Sequence, residues 1–116
     1  MNIEIENITF DCDDVEKLAQ FWSQVIGMPI DPEGNEFVQS ISTPLGEPNF
    51  LFLKVPEAKS AKNRMHLDFA SNDRDAEVER LVGLGATKIA DKDEWGHVWT
   101  VMQDVEGNEF CVASKG

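Results

Sequence analysis

The sequence contains the same pattern twice, and the two copies are offset by 59 positions. Residues 8–11 open the first copy, and residues 66–69, which begin one position short of this offset, open the second. Each opening is followed by a charged helical pattern that ends in an apolar residue and glycine. Each copy closes on an apolar run, at 50–53 and at 109–112. Two copies of this length are too few and too long for a solenoid, so the pattern predicts two half-domains that share one core.

Composition favours one compact domain that binds neither nucleic acid nor membranes. With 116 residues and 41% hydrophobic content, the chain can form an adequate core. Residues 1–6 lack the pattern of a signal peptide, and no apolar run is long enough to span a bilayer. The net charge of −12 disfavours partners that require clustered Lys and Arg. Cys12 and Cys111 lie in apolar strand patterns and are expected to be buried free thiols, which predicts a cytoplasmic protein.

In the first copy, hydrophobic spacing predicts a strand from about residue 2 to residue 12, with a bulge or a late start. A helix over 15–26 follows, with Asp13 or Asp14 as its N-cap. Gly27 should end this helix in the left-handed conformation. Short strands are then expected at 28–30, 37–42 and 49–55.

A polar segment, 56–63, is interpreted as the linker between half-modules 1–55 and 64–116. In the second half-module, strands are expected at 64–70, 86–90, 97–103 and 109–112. Asn72 or Asp73 should cap a helix that runs to about residue 84. Its inward positions are Ala76, Val78, Leu81, Val82 and Leu84. Each half is therefore predicted to be βαβββ, which gives an α+β domain with curved sheets and outer helices.

Three segments resemble the vicinal oxygen chelate superfamily, which includes the glyoxalase and bleomycin-resistance proteins. Residues 14–27 resemble its first helix signature, and residues 66–86 resemble the opening of its second half. Residues 104–110 resemble its last hairpin, with Val105 where proline is usual. The resemblance covers nearly the whole chain and is strongest to the glyoxalase-like branch. It implies one domain over 1–116, with two tandem βαβββ modules that form a cupped mixed sheet.

Enzymes of this superfamily place one metal ligand on the first and last strand of each half. Carried over through the repeat, this implies four positions: Asn7, Phe52, His66 and Cys111. Phe52 cannot bind a metal. One thiolate with one imidazole is not the hard donor set that Mg, Mn, Ni or Fe prefer, and zinc would need a third protein ligand. We therefore expect no metal and no other cofactor, and the alternative is a divalent metal held by His66.

Strand alternation extends these four positions to a whole face. The inward face should carry Thr9, Lys54 and the ligand-binding candidates Asn7, Asp11, Phe50, Phe52, His66, Asp68, Glu109 and Cys111. Leu51, Leu53 and the other apolar residues of these strands should face the helices. Acids beside aromatic rings predict a small-molecule ligand that is cationic or aromatic. The alternative is that the acids lie in solvent and the two phenylalanines close a small core.

His66 is the candidate catalytic residue, because Asp68 on the same face could orient it as a general base. The alternative is a hydrogen-bonded residue that remains at an inherited ligand position. Trp95, His97 and Trp99 form a second group. They are interpreted as core or dimer contacts, with Trp99 kept as a ligand-binding candidate.

These features favour a metal-free domain of the sequestration or resistance type, in which binding of a small molecule is the function. One alternative is a metal-dependent lyase, isomerase or dioxygenase that uses His66 with Asp68 or Glu109. The other is a protein-interaction domain. A homodimer is expected, since closed two-fold assemblies are the most common among soluble homo-oligomers.

Overall fold

The computed structural model describes residues 4–115, which divide into two compact units between Lys59 and Ser60. The boundary between them lies within the segment 56–63. Seven strands and two helices give an α+β structure with one three-stranded and one four-stranded sheet. Within residues 4–115, no helix is long and apolar enough to cross a membrane.

The first unit contains β1 (Asn7–Cys12), α1 (Val15–Ile26), β2 (Val38–Ile41) and β3 (Asn49–Lys54). The strand order is β1-β3-β2, with β1 parallel and β2 antiparallel to β3. The helix begins and ends as predicted. The Asp14 side chain accepts a hydrogen bond from the Lys17 backbone N–H, and Gly27 adopts a φ of 71°. Of the predicted first strand, residues 2 and 3 lie outside the described residues, and β1 begins only at Asn7.

The short strand predicted at residues 28–30 does not form. Pro29 has no N–H to donate, which removes the central hydrogen bond that a three-residue strand would need. The backbone N–H of Asp31 still bonds to the Ser40 carbonyl at 2.8 Å. The Asp31 carboxylate also accepts hydrogen bonds from the Ser40 and Ser42 hydroxyls. Side-chain hydrogen bonds therefore hold this segment beside β2.

An aromatic cluster forms the core of the first unit, and it contradicts the predicted orientation of β3. The Trp22 ring on α1 lies 5.3 Å from that of Phe10 and 5.9 Å from that of Phe50. The Phe52 ring stacks on Phe10 at 5.5 Å and is fully buried. Phe50 and Phe52 thus face the helix, and Leu51 and Leu53 lie on the opposite face. The prediction that the two phenylalanines face away from α1 is wrong.

The second unit contains β4 (Leu67–Ser71), α2 (Arg74–Gly83), β5 (Thr87–Glu94), β6 (His97–Gln103) and β7 (Glu109–Ser114). Its strand order is β4-β7-β6-β5, with β4 and β7 parallel and the other pairs antiparallel. This unit is βαβββ, as predicted. β5 extends four residues beyond the predicted end at residue 90, up to a tight turn at Trp95 and Gly96 with φ values of 53° and 76°.

The helix α2 buries fewer side chains than predicted. Asp73 caps it through a hydrogen bond from the Ala76 backbone N–H. Only Val78 and Leu81 are buried, whereas Ala76 and Val82 are exposed. Polar contacts supplement this small interface. The Arg74 guanidinium donates to Ser114, Asp91 and the fully buried Thr100 hydroxyl, and Thr100 donates in turn to Asp91.

The register of the repeat changes by one residue at its last strand. Phe10 pairs with Phe52 in the first unit, and Phe69 pairs with Val112 in the second. The partner of Cys111 is Asp68, and the matching pair in the first unit is Thr9 with Leu51. Leu51, and not Phe52, is therefore the counterpart of Cys111. The constant offset assumed from sequence was wrong for this strand.

Candidate functional site

The candidate site lies on the face of the second unit's sheet opposite α2, called here the helix-free face. Thr100 marks the other face, because its hydroxyl bonds to Arg74 at the start of α2. Side chains alternate along each strand, so the helix-free face carries three cross-strand rows. The first is Asp68, Cys111, Val101 and Ala90, the second is Ala70, Ala113, Trp99 and Lys92, and the third is Glu109, Gln103 and Thr87.

Three polar side chains come together at one end of this face. His66 precedes β4, and its Nε2 lies 3.3 Å from Asp68 Oδ1. Cys111 lies beside Asp68 on β7. One ligand atom from each of the three residues lies within 4.8 Å of the other two. The predicted pairing of His66 with Asp68 is therefore present, and Cys111 joins it.

The Cys111 thiol is held in its neutral form. Burial raises the pKa of Cys111, and the negative charge of Asp68 and a hydrogen bond to that carboxylate raise it further. Lys62 opposes this shift only in part. Asp68 therefore lies between a thiol and an imidazole and is close enough to interact with both. Nucleophilic catalysis needs a thiolate, so this arrangement disfavours Cys111 as a nucleophile.

Glu109 is on the same face but has local partners. Its carboxylate accepts a hydrogen bond from the Asn63 backbone N–H at 2.8 Å and a longer one from the Gln103 side chain at 3.4 Å. The Asn63 side chain also donates to the Glu109 carbonyl. Asp68, with a side chain 70% exposed, is thus the more available of the two acids for a ligand.

Lys62 and Asn63 are site residues that sequence reasoning missed. Both lie in the segment interpreted as a polar linker. Lys62 acts on Cys111 by charge, and Asn63 fixes Glu109 by hydrogen bonds. Neither residue belongs to an element with periodicity, so the sequence has no signal for their position.

The first unit places its candidate residues differently. Asn7 and Asp11 are exposed on β1, on the face opposite α1, as alternation predicts. Their neighbours on β3 are Asn49 and Leu53. Phe50 and Phe52 belong to the core on the other face, where Trp22 covers them. Asn7 and Asp11 therefore share a face that carries neither of the predicted aromatic residues.

The Trp95, His97 and Trp99 group divides between two environments. Trp95 is 87% exposed at the tip of the β5–β6 hairpin. Trp99 is half-buried on the helix-free face, where its cross-strand neighbours are Ala113 and Lys92. Ala113 is small, whereas Lys92 places a long cationic side chain on the other side of Trp99. The structure thus separates Trp99 from the exposed tip.

The donor set does not fit a hard divalent metal. In the register of the structure, the first unit offers Asn7 and Leu51 at the positions matching His66 and Cys111, and neither completes a carboxylate and imidazole set. Within residues 4–115, the one group of at least three possible His, Cys, Asp or Glu ligands is His66, Asp68 and Cys111. Imidazole, carboxylate and thiolate together suit zinc, with a fourth position left for water or substrate.

Comparison with known proteins agrees with this architecture. Residues 7–113 match a family model described as glyoxalase-like domain. The chain belongs to the glyoxalase-like domain family. No curated protein matches its sequence.

Solved structures of low sequence identity have the same fold. A glyoxalase/bleomycin resistance protein/dioxygenase family enzyme from Burkholderia phytofirmans PsJN matches with a TM-score of 0.80 and 17% identity, over 97% of this chain and 98% of that one. The fosfomycin resistance protein FosX from Mesorhizobium loti matches with a TM-score of 0.75 and 15% identity, over 100% and 95%. A lactoylglutathione lyase from Agrobacterium tumefaciens matches with a TM-score of 0.68 and 16% identity, over 96% and 92%.

Proposed function

We propose that this glyoxalase-like domain binds a small organic molecule on the helix-free face of its second unit, without a metal. The observation that supports this most directly is the Asp68 carboxylate, which is exposed and lies within the His66–Asp68–Cys111 cluster. Trp99 supplies an aromatic surface on the same face. Neighbours named for a lyase and for a resistance protein are compatible with either turnover or sequestration in this fold.

The preferred ligand is a planar cation. Asp68 offers negative charge, and Trp99 offers a ring face for stacking and cation–π contact. The net charge of −12 also favours cations over carboxylates. Phe50 and Phe52 have no part in this proposal, because both lie in the core of the first unit.

The state of the cluster supports binding without a metal. A metal would have to displace the proton from a thiol whose pKa is raised by burial and by Asp68. The Asp68 carboxylate interacts with Cys111 and lies 3.3 Å from His66 Nε2. The three side chains thus form an internal network, and the exposed part of Asp68 remains for a ligand.

A thermal-shift series tests this proposal. The probes are three naphthalene-sized aromatics that differ only in an ammonium, a hydroxyl or a carboxylate group. The ammonium compound should raise the melting temperature most, because ligand binding to the native state stabilises it by mass action. Asp68→Asn should weaken its binding about tenfold, as loss of about 1.4 kcal/mol would.

Asp93→Asn is the matched control, since Asp93 is exposed on β5 on the side of the sheet that faces α2. It removes the same charge but should leave binding unchanged. Stabilisation by the carboxylate compound alone would contradict the proposal. If the Asp68 and Asp93 variants weaken binding of the ammonium compound equally, its preference would reflect only the net charge of the protein.

A zinc-dependent enzyme is the second candidate, and the mutual distances within the cluster favour it. Donor atoms within 4.8 Å of one another could close around one ion after small side-chain movements. Zinc bound there would polarise a substrate oxygen or lower the pKa of a bound water. His66, Asp68 and Cys111 would hold it.

Metal analysis and cobalt titration separate the two candidates. Protein purified without chelators should contain less than stoichiometric zinc if the metal-free proposal holds. If the second candidate is correct, Co²⁺ should give a thiolate-to-cobalt charge-transfer band that Cys111→Ser removes and Cys12→Ser retains. Cys12 is a fair control, because it is also buried and bonds to the Leu53 carbonyl in the first unit.

We further propose that the protein is a cytoplasmic homodimer. Both cysteines are free and buried, which agrees with a reducing compartment. Two-fold assembly is the most common arrangement of soluble homo-oligomers. Sedimentation at tens of micromolar protein should give about twice the mass of the 13.0 kDa chain. A single species at the monomer mass would contradict this.

A further inference from the structure

A second surface of interest is a groove of about 750 Å³ between α2 and the β5–β6 edge of the second unit. We call it the α2 groove. Val78 and Val82 supply its apolar part, and Asp75, Glu79 and Asp91 supply carboxylates. It lies on the face that carries α2, so it is separate from the helix-free face. Neither the ligand proposal nor the zinc alternative uses it.

Gly83 lines this groove although the fold does not require glycine there. It lies in the last turn of α2, and it is absent from the residues with positive φ. A Cβ added at this position would meet no heavy atom within 4 Å. Glycine in a helix is less favourable than alanine, so this residue reduces stability without a steric reason. A glycine here keeps the groove wall low.

The charge of the groove favours a cation. Lys88 Nζ lies 2.7 Å from Asp91, which also binds Arg74 and Thr100. Asp91 is therefore neutralised within the protein. Asp75 and Glu79 remain one helical turn apart on the same wall. Arg74 is only a distant partner of Asp75 at 3.6 Å, and the Asp75 side chain is 91% exposed.

The groove is open, and none of the described residues that line it is aromatic. Apart from Val78 and Thr100, the residues that line it are exposed. A small ligand that has no ring to stack on depends on burial, which an open groove provides poorly. An extended peptide segment can instead make contacts along the whole groove. β5 is an edge of the described sheet, so its outer side can offer backbone hydrogen bonds to an added strand.

We propose that the α2 groove binds an extended segment of a partner protein in which every second residue is, in turn, basic (Lys or Arg) and apolar. Side chains two residues apart point to the same side of such a segment, so these basic and apolar residues all face the groove, and the apolar ones contact Val78 and Val82. Its basic residues lie against Asp75 and Glu79. A second copy of this chain is a poor occupant, because its net charge of −12 would oppose the acidic wall.

Fluorescence anisotropy with a labelled peptide of roughly ten residues, in which Lys and Val take turns at every second position and Ser fills the others, tests the proposal at the length of one strand. The protein should bind this peptide, with affinity that falls as salt increases. It should not bind the matched Glu and Val peptide. The double variant Asp75→Asn, Glu79→Gln should bind about fivefold more weakly, as two exposed ion pairs would predict. Gly83→Leu should abolish binding by filling the groove.

Glu77→Gln is the control, because Glu77 belongs to the same helix but pairs with Arg80 and does not line the groove. It should leave the affinity unchanged. Circular dichroism melts establish that each variant is folded. Unaltered binding by folded Gly83→Leu, or equal binding of the acidic peptide, would overturn the proposal. So would binding of butylamine as tight as that of the peptide, which would make the groove a small-molecule site.

Discussion

The sheets of the two units share the parallel pairing of their first and last strands. They differ in the side chains on the face opposite the helix, which is called the helix-free face in both units. In both units a first strand runs parallel to the last one and a helix covers one side. In the first unit the central pair on the other side is Thr9 with Leu51, and in the second it is Asp68 with Cys111. The same backbone arrangement thus supports an inert pair in one unit and a titratable pair in the other.

The helices of the two units differ in how many apolar side chains they bury, and here the first unit has the larger share. The first, α1, buries Val15, Leu18, Ala19, Phe21 and Trp22 against its sheet. The second, α2, buries two side chains and adds the hydrogen bonds of Arg74. Apolar packing therefore stabilises the first unit, whereas polar contacts contribute more to the second. The unit with the weaker apolar interface is the one that carries both candidate binding surfaces.

The largest predicted effect concerns the first unit's core. Phe52→Ala should destabilise the protein by about 3–5 kcal/mol, because it leaves a cavity beside Phe10. Urea unfolding measures this change. Any ligand that binds wild type should bind the folded variant with unchanged affinity. A selective loss of affinity with normal stability would mean that Phe52 lines the site after all.

The polar contacts of α2 should give the next largest effect. Arg74→Met keeps much of the side-chain length but leaves Thr100 and Asp91 without their shared donor. We expect a loss of about 1–3 kcal/mol. Hydrogen exchange should show faster opening of α2 than of α1. Equal acceleration in both helices would show that the two units do not differ in local stability.

The β5–β6 hairpin should gain stability from a substitution at its tip. Trp95 has a φ of 53°, which is unfavourable for a bulky side chain, and Gly96 follows it at 76°. Asn-Gly is the preferred pair for a turn with two positive φ values. Trp95→Asn should therefore stabilise the protein by about 1 kcal/mol. A lower melting temperature would indicate that the exposed ring makes a contact in solution, such as one in a dimer.

The smallest predicted effect depends on pH. It concerns Asp31, which follows residues 28–30, where the predicted strand does not form. Burial raises the pKa of Asp31, but hydrogen bonds from Ser40 and Ser42 outweigh it and lower the pKa overall. Its contribution to stability is complete above the unfolded pKa of about 3.9 and is lost as the pH falls through the lower folded pKa. Urea midpoints of wild type and Asp31→Asn should thus differ at pH 6, and the difference should shrink as the pH falls below the unfolded pKa. A constant difference would contradict this.

The sequence determined the elements whose signals are local. The helix α1 has its cap, its apolar stripe and its terminal glycine within fourteen residues, so both of its ends could be predicted. Strands β4 and β7 alternate between polar and apolar residues around Asp68 and Cys111, and their orientation could be predicted from this alternation. The resemblance to the glyoxalase-like family followed from three such segments in order. In each case, residues close together in the sequence were sufficient for the prediction.

Only the tertiary structure decided the orientation of β3. Residues 50–53 are all apolar, so alternation defines two faces without showing which one faces the helix. The position of Trp22 on α1 decides it. The same holds for Lys62 and Asn63, which reach the site through contacts with β7 residues more than forty positions away. Long-range packing has no periodicity in sequence, and for this reason the composition of the site had to come from the fold.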